Sequence, residues 1–196
     1  MRSTIRRILS FFIIPACFFV LSCASVNNKI GSLSSVYVTN TKKIELLSPD
    51  NVEKNIDSLQ LLNASFGKQT FSLLAFINID NNGIFISLMN DLGTDMGNLS
   101  YNGESVFFDS SLFPKALKAE YIVADIQYAF YKSEAIEQMM SKVGLSFVVA
   151  REGQSEIRKI FDKEKCIAEI TKTERECKII NYLRGYEYVL QESDDE

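Results

Sequence analysis

Histidine is absent from this chain, and that one absence excludes Ser-His-Asp and Cys-His catalysis and every His-ligated metal site. Tryptophan is absent too, and proline occurs only three times. Basic residues are not in excess: 21 Lys and Arg face 25 Asp and Glu. A nucleic-acid partner is therefore not expected, because such proteins use clustered Lys and Arg to displace phosphate counterions. Cysteine is scarce, with four in 196 residues and no CxxC pair, so redox and zinc-ribbon chemistry lack their ligands. No metal, no cofactor and no enzymatic activity are expected. No internal repeat is evident.

A long apolar run occurs once, and it organises the chain. Arg2, Arg6 and Arg7 give a basic start, residues 8–21 are almost wholly apolar, and small residues close the run. The run is shorter than the roughly 18–20 residues needed to cross a bilayer, and its order is that of a secretory signal. Its end, Leu21-Ser22-Cys23-Ala24, resembles a bacterial lipobox, in which the cysteine is acylated and becomes the mature N-terminus. The expected division is a signal peptide over 1–22, an acylated N-terminus and tether over 23–54, one domain over 55–191, and an acidic tail over 192–196. Loss of the three leader arginines leaves 18 basic against 25 acidic residues, a net charge of −7. The expected partner is a membrane, reached through the lipid on Cys23. Ala24, rather than an aspartate, after that cysteine resembles an outer-membrane sorting pattern, so the expected address is the cell envelope, on the outer membrane facing the periplasm.

An apolar fraction of 46%, with 14 Phe and 8 Tyr, supplies a sizeable aromatic core. Residues 24–35 are small and polar and read as a flexible tether. Ser48-Pro49-Asp50 has the cap and proline of a short helix start running toward Asn55. From 56 to 108 the apolar period is two. Phe71, Leu73, Ala75, Ile77 and Ile79 share one strand face, and Ile84, Ile86 and Leu88 continue it on the next strand. Asp80-Asn81-Asn82-Gly83 between them is read as an Asn-Gly hairpin turn, since the later ligands of a calcium loop are missing. Two more strands follow around Asn102-Gly103. Gly103-Glu104-Ser105 lacks the second glycine of a nucleophile elbow, and it is a turn.

Residues 114–140 change to helical period. Pro114 opens the segment, and Ile122, Ile126 and Phe130 stack at i, i+4 and i+8. A second helix is expected from Ser133 to Met140. A helix this apolar needs cover on more than one side. Strands return at 145–150, 157–161, 166–170, 177–182 and 186–190. Strands, a helical interruption and strands again predict an α+β fold: an antiparallel sheet with its helices inserted between strands and gathered on one side. Cys166 and Cys177 fall on the last strands. Either they bridge a hairpin or they are two reduced, packed thiols.

Ala124-Asp125-Ile126-Gln127-Tyr128-Ala129-Phe130 after Phe113-Pro114, with Asn181-Tyr182-Leu183-Arg184-Gly185-Tyr186 near the end, resembles a family of bacterial lipoproteins of unknown function. Its members are similar in fold to the lipoprotein carrier LolA and the receptor LolB. The resemblance spans about residues 55–191, and it places Tyr131 where the family usually has tryptophan. It implies a curved, incomplete antiparallel barrel with helices on the concave side and an interior that accepts acyl chains. Asp125 and Gln127 sit two apart, about 200° round a helix, so they cannot share a substrate atom. They are expected to join Asn181, Gly185 and Tyr186 in a structural role.

Several strands are apolar on both faces: Leu74 and Phe76 oppose the Phe71–Ile79 row, Phe85 and Met89 oppose Ile84–Leu88, and Phe107 opposes Val106 and Phe108. Either protein covers both faces, or one face lines a hollow for an apolar ligand. The expected function follows the second reading: a non-enzymatic envelope lipoprotein holding a lipid or lipoprotein acyl chain. The cavity would be lined by Leu74, Phe76, Phe85, Met89 and Phe107 of the sheet and Ile122, Ile126 and Phe130 of the helix. The rival is an assembly partner of another, unspecified envelope protein, with a filled core. An acyl hydrolase lacks any nucleophile–base pair.

Overall fold

The computed structural model describes residues 34–110 and 118–192. The signal peptide, Cys23, residues 24–33 of the tether, Pro114 and residues 193–196 of the tail lie outside them. Period-two alternation builds the strands β3 (Ile56–Phe66), β4 (Gln69–Asp80), β5 (Gly83–Met89), β6 (Asp95–Tyr101) and β7 (Val106–Asp109). Two helices follow, α1 (Ala119–Phe130) and α2 (Ser133–Ser141). The chain then returns to strands: β8 (Ser146–Glu152), β9 (Ser155–Asp162), β10 (Lys165–Lys172), β11 (Glu176–Asn181) and β12 (Tyr186–Glu192). Ahead of these stands a small hairpin, β1 (Ser35–Tyr37) and β2 (Lys43–Glu45).

Among the described residues the large strands form one open antiparallel sheet in the order β7-β6-β5-β4-β3-β12-β11-β10-β9-β8. Strands adjacent in the sheet are consecutive in sequence and joined by short turns everywhere except at the middle. There β3 meets β12, with Phe66 opposite Tyr186 and Gln60 opposite Glu192. The fold is thus α+β, a mostly antiparallel sheet with two helices.

One sheet face holds the core. Leu62, Ala64, Leu73, Ala75, Ile77, Ile79, Ile84, Ile86, Leu88 and Leu99 are buried there, and Ile160, Ile170, Ile179 and Leu190 extend it across the second half. Helix α1 lies on this core, touching β7, β10 and β11, while α2 touches β8. Every residue of α1 from Val123 to Ala129 is buried, which one sheet face cannot achieve alone. The second cover comes from residues assigned above to the tether. Val36, Val38, Ile44, Leu46 and Val52 are buried against the core, so the ordered domain begins by Ser35 rather than at 55. Their signal is weak because each strand carries only one or two apolar residues. The expected helix after Ser48 is a single 3-10 turn, Pro49–Asn51, capped by the Ser48 side chain.

The break between α1 and α2 has a local cause. Tyr131 turns extended and bridges Val52, and Lys132 N–H donates to Asn51 O at 2.8 Å. The β4–β5 turn also differs from expectation. Asp80 pairs with Gly83, so the turn residues are Asn81 and Asn82, held by Asp80 Oδ1 accepting from Asn82 N–H at 2.7 Å. Gly83 is needed for another reason. Its φ is 151°, and a Cβ there would sit 2.0 Å from Tyr101 O.

Candidate functional site

Side-chain parity decides which residues face α1. The strand residues expected to line the cavity point the other way. Leu74, Phe76, Phe85, Met89 and Phe107 stand on the sheet face opposite the helices, with Phe107 59% exposed. The residues facing α1 are their neighbours, the Ile, Ala and Leu row. When both rows are apolar, period two fixes the alternation but not the direction. What separates them here is which face meets the helix: the Ile, Ala and Leu row packs under it, and Phe76, Phe85 and Phe107 face out. Of the expected helix residues, Ile122 and Ile126 do lie over the core face, whereas Phe130 borders a different, polar hollow.

Between α1 and the sheet runs a narrow cleft of about 50 Å³. Ala64, Ala75, Leu88 and Leu99 form its floor, Ile126 its roof, and half-buried Phe66, Phe108 and Ile122 its mouth. Every lining residue is apolar apart from the hydroxyl of Tyr188. Ala75 pairs with Leu88, whereas Ala64 pairs with Phe71, four residues along β4 from Ala75, so the two short side chains leave room under the helix at separate points.

The two sequence motifs meet at the C-terminal side of this cleft. Asp125, on α1, is buried and accepts a 2.5 Å hydrogen bond from Tyr186 Oη on β12. Asn181 Nδ2 donates to the same Tyr186 oxygen at 3.2 Å, and its Oδ1 accepts from Arg184 N–H at 3.1 Å. Gly185 closes that turn by donating to Asn181 O at 2.8 Å, at a φ of 67°. Arg184 then lies 3.8 Å over the Tyr121 ring and donates to the carbonyls of Val38 and Tyr37. Burial pushes the Asp125 carboxyl up to about 7, against the opposing pull of Tyr186, Arg184 and Asn181. Gln127 points elsewhere: its Oε1 accepts from Leu47 N–H and its Nε2 donates to Leu47 O, both at 2.9 Å. Asp125 therefore ties α1 to β12, and Gln127 ties it to the N-terminal segment. Neither faces an open space with a second reactive group.

Sequence reasoning passed over Arg158. Its side chain, wholly buried, donates from Nη1 to the carbonyls of Tyr128 (3.1 Å) and Tyr131 (2.7 Å), at the C-terminal end of α1. Nη2 reaches Glu53 at 2.6 Å and Nε reaches Glu156 at 2.7 Å. A cation at a helix C-terminus satisfies orphan carbonyls and complements the dipole. Its signal was the inward parity of Glu156, Arg158 and Ile160, which puts charge where a core residue is expected. Beyond this cluster opens a large polar hollow of about 890 Å³ whose walls mix both signs, among them Lys54, Arg151, Lys172, Arg175 and Glu176.

Cys166 and Cys177 are not bridged. On β10 and β11 Cys177 faces Lys172, which lies six residues from Cys166. At about 3.4 Å per residue that is roughly 20 Å, far beyond the Cα separation a disulfide tolerates. The turn falls at 173–175, as near as expected, but strand register carries Cys166 past the end of β11. Cys177 is buried, and burial pushes its thiol up to about 12.

The arrangement is that of an α+β protein with helices tied by buried polar contacts over an apolar cleft, and with no assembled nucleophile and base among the described residues. The chain belongs to the family described as Protein of unknown function (DUF3261), whose model matches residues 57–194. No curated protein matches it. Among solved structures, a DNA polymerase sliding clamp from Pseudomonas aeruginosa, crystallised with ligand, aligns at 10% identity over 76% of this chain, with a TM-score of 0.15. This chain spans 61% of the clamp's length. That likeness carries no argument about fold or function.

Proposed function

We propose that this protein is a non-enzymatic, acyl-anchored envelope lipoprotein that takes an acyl chain into the cleft beneath α1, on a LolA- or LolB-like incomplete barrel. The observation that carries the reading is the apolar lining of that cleft, shared between the helix and six strands. Curvature of the sheet is supported by the reach of α1. Twelve residues make a helix of about 18 Å, yet α1 touches both β7 and β10, seven strand spacings or about 34 Å apart on a flat sheet. At about 50 Å³ the cleft is well below the usual 300–1,000 Å³ of a ligand pocket. An acyl chain enters as the half-buried Phe66, Phe108 and Ile122 side chains swing aside, while Asp125 and Gln127 hold the helix. Each buried methylene then contributes about 0.8 kcal/mol before immobilisation is counted. Secretion and acylation at Cys23 rest on the leader and lipobox alone.

Uptake of a fluorescent fatty acid by the Cys23→Ser protein, which carries no acyl chains of its own, tests the reading. Wild-type cleft residues should give saturable uptake, and Ile122→Asp should reduce it at least tenfold with an unchanged circular dichroism spectrum. No uptake, with no lipid retained from the cell, overturns the reading in favour of an assembly partner with a filled core.

A further inference from the structure

The sheet face turned away from α1 carries its own apolar surface. Phe76 is 36% exposed, Phe85 40% and Phe107 59%, and register makes them one patch. The Phe76 and Phe85 rings lie 6.5 Å apart, edge to face. Phe85 and Phe107 flank Ser100 in the same row, and Leu74 opposite Met89 extends the patch along β4 and β5. The outward residues between them on β4, β5 and β6 are Asn78, Ser87, Asn98 and Ser100, polar but uncharged. Three clustered, solvent-facing phenylalanines on a monomer mark a contact surface.

The position of the chain's N-terminal end indicates what it contacts. Ser34 Oγ donates to Glu104 O at 2.9 Å, in the loop that leads into β7, and Phe107 is the second residue of β7. The described chain therefore starts at the corner of the phenylalanine patch. Residues 24–33 separate it from Cys23. However arranged, eleven residue steps span at most about 40 Å, roughly the width of a domain this size. A lipid on Cys23 thus keeps this corner, rather than the far end of the sheet, within easy reach of the bilayer. At the high effective concentration such a short link imposes, even a weak apolar surface stays engaged.

We propose that the Phe76–Phe85–Phe107 face rests on the bilayer surface to which the Cys23 anchor ties the chain, an inference that depends on the anchoring reading above. The contact is apolar, with no Lys or Arg in the patch, so it draws nothing from anionic lipid and holds on a neutral bilayer at any salt concentration. Phenylalanine supplies area without a polar atom to bury, and the Ser and Asn between them suit the headgroup layer.

Because the chain has no tryptophan, Phe107→Trp and Phe76→Trp each introduce a single reporter. The full acylated protein in phosphatidylcholine vesicles should float with them. Emission of both reporters should be blue-shifted and quenched at least twofold when the lipid chains are brominated, equally in 0.05 and 0.5 M salt. A Tyr182→Trp reporter, in the β11–β12 turn on the other half of the sheet, should not be quenched. Flotation with equal quenching at 107 and 182 overturns the docking and leaves the anchor standing. A protein that does not float overturns the anchor and the docking with it. A blue shift without bromine quenching means that protein, a second copy or another chain, covers the face, and the proposal fails.

Discussion

Replacing Asp125 by Asn should flatten the pH dependence of stability. The carboxyl is buried on α1 with Tyr186, Asn181 and Arg184 around it, and desolvation raises it from 3.8 to about 7 despite those partners. An acid whose pKa is higher folded than unfolded takes up protons on folding between the two values. Stability from this site is therefore greatest below about pH 4 and is lost as pH climbs to 7 and above. At about 1.4 kcal/mol per pH unit of difference, the loss between pH 5 and pH 8 is on the order of 2–3 kcal/mol. Asparagine keeps an acceptor for the Tyr186 hydroxyl but cannot ionise. Urea midpoints measured at half-unit steps from pH 5 to 8.5 should fall for the wild type and stay nearly level for Asp125→Asn. The variant should match the wild type at pH 5 and exceed it at pH 8. Parallel profiles would show that Arg184 and the hydrogen bonds carry the charge without penalty, and the reasoning would be wrong.

Arg158→Leu should cost about 3–5 kcal/mol, read from the urea midpoint, because it strands the Tyr128 and Tyr131 carbonyls and leaves Glu53 and Glu156 facing one another with only Lys172 between them. Adding Glu156→Gln should recover part of that loss. In a Cys17→Ser, Cys23→Ser protein, thiol titration without reductant should find two reactive groups after denaturation. In the folded state Cys177, buried and with its thiol raised to about 12, should react at least a hundredfold slower than Cys166. A single disulfide in the unreduced protein would contradict the strand register.

Most strands of the large sheet and both helices were legible in the sequence because each carries its own period, and period is a local property, whereas β1 and β2, with one or two apolar residues each, read as tether. The direction of the sheet faces was not, because Phe76 and Phe85 are as apolar as Ile77 and Ile86, and only the partner above the sheet distinguishes them. Asp125, Gln127, Asn181 and Tyr186 stood out in the sequence, yet their partners did not: Gln127 binds Leu47, 80 residues away, and Asp125 binds Tyr186, 61 away. Of the two readings of Cys166 and Cys177, the reduced thiols are the ones found, and the bridge fails because it took sequence distance for spatial distance. A strand pair of fixed register separates residues at its two ends as surely as it joins those in the middle. Arg158 was missed because a lone arginine on a strand carries no motif, and its role is defined by the helix end it meets.

The pairing of β3 with β12 has a consequence for how the chain comes to be folded. All other neighbours in the sheet are joined by short turns and can pair as they are made, whereas Gln60 finds Glu192 only when nearly the whole domain exists. The two meanders are separate hairpin stacks until then, and each presents an open hydrogen-bonding edge in the middle of the future sheet. Closing a loop of that length comes late and slowly, and the apolar rows of β3 and β4 stand uncovered during the wait. The seam keeps the domain from locking until its last strand has arrived, so the piece that completes the sheet also sets the time at which it can close.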